Sequence, residues 1–102
     1  MPTLADQVRR RAHVYVAHGG KRNRRQQVDR LVILANWIQT HFRVTGLEQI
    51  GRRQVIEFWK ANRDMAPATA YAYWLAIKVL WQWLGRAEDP PPPRGVDAGL
   101  LA

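Results

Sequence analysis

Four bases within five residues, Lys21, Arg22, Arg24 and Arg25, stand where a helical pattern begins, and they are the densest chemistry in the chain. Guanidinium and ammonium groups at this spacing suit phosphate, since an arginine fork pairs two oxygens at once and a lysine adds a point charge. Their position works against the helix itself, because cations are disfavoured at the positive end of the helix dipole. A local cost of this kind points to an external use for the charge. Arg52 and Arg53 extend the basic track downstream. On the segment 66–84, Thr69, Tyr71, Lys78 and Gln82 supply the polar groups expected to line an adjacent groove.

The groups that would carry catalysis are missing. The 102 residues include no Cys and no Ser, which removes disulfides, thiolate metal sites and the commonest hydroxyl nucleophile. His13 and His18 stand five apart, about 140° round a helix, and do not share a metal as i, i+4 partners would. His41, at the end of an amphipathic stretch, reads as a charge partner for the helix C-terminus rather than a metal ligand. No glycine-rich phosphate loop, HExxH or paired-carboxylate pattern is present. The expectation is no catalytic residue, no metal, no cofactor and no small-molecule substrate.

Charge carries more information. Sixteen Lys and Arg stand against eight Asp and Glu, a net charge of +8. Residues 1–53 hold eleven of the bases and three of the acids, whereas residues 54–102 are neutral. A field concentrated on one part of a small domain points to a polyanion. The plainer alternative is a solvated basic surface.

The elements that would position these groups follow from apolar spacing. Leu4, Val8, Ala12 and Tyr15, with Val16, predict a helix from 4 to 18 capped by Thr3 and Asp6, with Arg9, Arg10 and Arg11 pointing three ways and Gly19-Gly20 stopping it. Val28, Leu31, Ala35, Ile38 and Phe42, widened by Val32 and Leu34, predict a longer one. After a loop from which Leu47 and Ile50 tuck inward, Val55, Ile56 and Trp59, with Phe58 beside them, give a third inner face. The last helix opens at Pro67 and closes at Gly85, with Arg86 nearby to face its negative end. It is apolar round most of its wheel, so other helices are expected to surround it. The five Trp lie on or beside apolar stripes, which favours core packing over base stacking; Tyr71, on the polar line, fits a rim residue and a groove-facing donor equally. The fold expected is all-α, a compact four-helix bundle over residues 1–86, followed by a proline-rich linker or tail over 87–102.

At this point the residues resemble a family, the N-terminal core-binding (SAM-like) domain of tyrosine recombinases, the phage integrases. The likeness runs over about residues 20–93. Pro67, Thr69, Ala76, Ile77, Lys78, Leu80, Trp81, Trp83 and Leu84 stand where that family's last conserved helix has its Pro-x-Thr start and Trp-Leu close. Upstream, Leu47, Ile50, Val55 and Phe58 stand at or close to its preceding apolar positions. Ala66 and Gly51 replace the family's Ser and Thr, and Ala70, Tyr71, Ala72 and Tyr73 replace its polar residues. The resemblance implies a DNA-binding half without the catalytic domain, serving site-specific recombination or mobile-element regulation, free-standing or as a piece of a longer recombinase. The partner expected is double-stranded DNA, with a recombinase or a second copy of the chain as the protein partner this reading admits. The alternative is a helical protein–protein or dimerisation module working through the 66–84 helix and the prolines. With no signal-like N-terminus and no apolar run of spanning length, the expected location is the bacterial cytoplasm, on the nucleoid and off the membrane.

Overall fold

Each helix expected from apolar spacing is present in the computed structural model, which describes residues 2–18 and 20–93 apart from the side chain of Lys21. α1 spans Leu4–Ala17, α2 Lys21–His41, α3 Arg52–Ala61 and α4 Pro67–Trp83, with a 3-10 turn at Leu47–Gln49. No strand occurs among the described residues. No helix among them is long and apolar enough to cross a membrane.

The helix ends are built from local chemistry. Thr3 Oγ1 accepts from the Asp6 N–H at 3.1 Å, and the Asp6 carboxylate accepts from the Thr3 N–H at 3.2 Å, a complete capping box. The Thr3 backbone N–H, then its hydroxyl and Arg9, hold the Asp6 carboxyl below its ordinary range. At α3, Gln54 Oε1 accepts from the Gly51 N–H at 2.8 Å; a glycine has no side chain to return the bond. α4 closes in a Schellman motif. Gly85 takes φ 71°, its N–H donates to Gln82 O at 3.0 Å, and the Arg86 N–H donates to Trp81 O at 3.1 Å.

Burial follows the predicted stripes with two departures. Leu4, Val8 and Ala12 of α1 pack onto Val28, Leu31, Leu34, Ala35 and Ile38 of α2, and Leu47 and Ile50 close one end of the core. On α3 the inner face is Val55, Phe58 and Trp59, while Ile56 is exposed. Ile56 lies 100° from Val55 round the helix, and the i, i+3, i+4 trio takes the core side instead. The second departure concerns α4. The helix in the middle is α2, onto which α1, α3 and α4 all pack. Ala72, Leu75 and Val79 of α4 are only half-buried.

Residues 87–93 do not leave the bundle as a linker. Pro90, Pro91 and Pro93 are buried against it, because the indole N–H groups of Trp59 and Trp74 take carbonyls of this segment as acceptors. Residues 94–102 of the expected tail lie outside the described residues.

Candidate nucleic-acid interface

Several bases that a sequence counts as free charge are committed within the fold. Arg24 points back to α1, where its Nη1 donates to Tyr15 O at 2.8 Å and its guanidinium lies 4.4 Å from the Tyr15 ring centre. A cation at the last turn of α1 meets the negative end of that helix. This answers the charge at the start of α2 from inside the molecule. Tyr15 is itself held by Gln27, and burial raises its phenol above the ordinary range. Arg11 does the same for α4, donating to Trp83 O at 2.8 Å. Arg86, expected at that helix end, instead covers the Trp81 ring at 4.5 Å and donates to Glu48 O at 3.2 Å.

Other cations are laid on rings or paired with acids. Arg53 sits 5.7 Å from the Phe42 ring centre. Lys78 lies 4.7 Å from that of Trp74 and 3.9 Å from Asp89. Lys60 pairs with Glu57. His41 Nδ1 donates to Trp37 O at 2.8 Å while its ring stacks on Trp37, in line with a helix-end role.

What remains gathers on the α1–α2 hairpin. α1 and α2 run antiparallel, with Leu4 beside Gln39 and Tyr15 beside Arg24, so the second half of α1 lies beside the first half of α2. Between them runs an open groove floored by Ala12, Val16 and Val28, with Arg9 and His13 on one wall and Arg25 and Asp29 on the other. Each wall pair is spaced i, i+4, which puts its members one above the other. Arg22, three residues before Arg25, and Arg10, three before His13, are near neighbours of the two walls but do not line the groove. Arg10, Arg22 and Arg25 are exposed, and no carboxylate among the described residues stands within ion-pair distance of them. Arg9 has Asp6 at 3.3 Å, a solvent-exposed pair that competes weakly with a phosphate.

The expected site residues therefore fall in three places. Arg25 lines the hairpin groove, Arg22 stands exposed one turn before it, Arg24 is turned inward, and the Lys21 side chain lies outside the described residues. Tyr71, Lys78 and Gln82 share the outer face of α4, but Thr69 does not. It stands two positions before Tyr71, some 200° of turn, and it is exposed through its place in the first turn. No α4 residue lines the hairpin groove. Arg52 and Arg53 open α3 at the other end of the bundle. Arg53 rests on Phe42, seventeen positions after Arg25 and so about 25 Å along α2.

Arg9, Arg10 and His13 were not expected at the site. Their signal is the Arg9–His13 line flanking the apolar stripe of α1, which acquires meaning only once α2 lies alongside. No protein-family model, curated protein or solved structure matches this chain.

Proposed function

We propose that this chain is a duplex-DNA-binding module of the integrase core-binding type, gripping phosphates with the α1–α2 groove and taking part in site-specific recombination or mobile-element regulation. One observation carries the reading. Arg9 and His13 of α1 face Arg25 and Asp29 of α2 across an open groove with an apolar floor, and Arg22 stands exposed one turn before Arg25. Arginines with solvated guanidiniums bind polyanions by releasing condensed counterions, and that requires a row of charges rather than an enclosed pocket. The all-helical bundle and the matched positions on α3 and α4 support the family reading. The module binds and positions, and the chemistry of strand exchange belongs to another domain or another protein.

The deciding experiment is titration of a labelled duplex at several salt concentrations. Three to five phosphate contacts give log K against log salt a slope of about −0.9 for each. A flat slope overturns the DNA reading. It would favour the second reading, a protein-interaction module, for which the half-exposed Leu75 and Val79 beside Tyr71 on α4 are the supporting surface.

A further inference from the structure

Two core tryptophans turn their N–H groups toward the same short segment. Trp74 on α4 donates to the carbonyl of Pro90 at 3.0 Å, and Trp59 on α3 donates to that of Pro91 at 2.9 Å, both bonds being buried. Pro90, Pro91 and Pro93 are buried while Pro92 is exposed. This pattern suits a polyproline II turn, in which residues three apart share a face. Lys78, over the Trp74 ring and 3.9 Å from Asp89, adds a third donor where the segment enters.

The match is one of donors to acceptors. A proline run offers carbonyl oxygens and no N–H, and in the extended form those carbonyls make no bonds among themselves. The cleft offers two indole N–H groups and an ammonium, all donors. An ordinary peptide seated there would bury amide hydrogens with nothing to accept them, an unfavourable exchange. Prolines bring no such hydrogens. Each indole is itself held by a neighbouring ring, Tyr71 6.1 Å from Trp74 and Phe58 5.4 Å from Trp59. Aromatic grooves of this kind are a general means of recognising polyproline.

We infer that the α3–α4 cleft is a receptor for an extended proline-rich peptide. Pro90–Pro93 occupies it as the chain's own ligand, and a proline-rich peptide from another molecule takes its place when the segment lifts. The site lies on α3 and α4, apart from the hairpin groove, and stands or falls independently of DNA binding.

Indole N–H exchange, followed by NMR on the full chain, tests this. In the parent chain Trp59 and Trp74 exchange at least tenfold more slowly than half-exposed Trp83. Replacing Pro90 and Pro91 by Gly loosens the segment and accelerates Trp59 and Trp74 together by tenfold or more, leaving Trp81 slow. A synthetic peptide AEDPPPP added to that variant restores the protection, and the same peptide with Gly for Pro does not. Trp74→Phe keeps an aromatic ring and deletes one donor. It accelerates exchange at Trp59, because the segment is the ligand the two indoles share, with helix content by circular dichroism unchanged. Should the glycine pair melt the bundle, the peptide AEDPPPP is added to Trp74→Phe, where it restores protection at Trp59. An unmoved Trp59 in Trp74→Phe, or a proline peptide that protects nothing, overturns the proposal.

Discussion

The hairpin groove and the aromatic side of this small bundle hold their cations differently, although Arg24 lies on Tyr15 beside the groove and Arg52 and Arg63 stand exposed near the aromatic side. On the α1–α2 side, Arg10, Arg22 and Arg25 stand in solvent with no carboxylate partner among the described residues. On the α3–α4 side, Lys78 lies on Trp74, Arg86 on Trp81 and Arg53 on Phe42. The first arrangement leaves full positive charge for a partner. The second uses the same side chains as covers over aromatic rings, where a cation gains from the quadrupole and shields the ring face from water. A net charge of +8 is therefore an overstatement of the charge available for binding. What a polyanion meets depends on which arginines have been claimed by neighbouring helices.

The contrast is broken most severely at the centre of the aromatic side. Trp81 is 2% exposed and belongs to the core cluster with Trp74 and Ile77. Trp81→Ala opens a cavity costing about 3–5 kcal/mol. Thermal unfolding by circular dichroism shows this as a collapse of Tm, and DNA binding goes with it. Trp81→Phe is far milder than its lost volume implies, since the buried Trp81 N–H has no hydrogen-bond partner and its removal leaves no polar group unsatisfied. A Trp81→Ala protein that melts like the parent would mean that the aromatic side is not what holds the bundle together.

Adjacent arginines sharpen the contrast at the hairpin. Arg25→Ala removes a solvated guanidinium of the groove. It lowers duplex affinity roughly tenfold near 0.1 M salt and the salt slope by about 0.9, leaving Tm in place. Arg24→Ala removes the bond to Tyr15 O and the contact with its ring, and so costs about 1–2 kcal/mol of stability. Its salt slope matches that of the parent. Equal behaviour of the two variants in the titration would show that Arg24 leaves Tyr15 on binding and serves the DNA as well.

These neighbours also mark how far the sequence can be read. Helix positions, the Thr3–Asp6 cap, Pro67 at the start of α4 and Gly85 past its end were all legible, because each depends on residues within one or two turns. The inward turn of Arg24 was not legible. Periodicity tells which residues face a neighbour, but not that a carbonyl of α1 waits there. Arg11 found Trp83 O in the same way, across 72 positions of chain. Ile56 was placed inward by its hydrophobicity alone, whereas Val55, Phe58 and Trp59 already fill that face. The proline segment read as linker because nothing local reports an indole donor 16 or 32 residues upstream.

The smallest effect tests whether the outer face of α4 belongs to the aromatic side or to the binding side. Lys78 was expected to contact DNA, yet its ammonium rests over Trp74 and within 3.9 Å of Asp89. Its side chain is 33% exposed and that of Asp89 is 68% exposed, so the pair is worth at most about 1 kcal/mol. The ring contact adds a comparable fraction. Lys78→Ala then lowers Tm by about 2–6 °C, the loss shared between pair and ring. Asp89→Asn removes only the pair and lowers Tm by less. On the DNA side, an ammonium with a carboxylate neighbour releases few counterions, so Lys78→Ala leaves the salt slope within error of the parent. A slope reduced by about one unit would show Lys78 leaving Asp89 for a phosphate. It would move the outer face of α4 to the same side of the contrast as Arg25, and the interface would extend over both faces of the bundle.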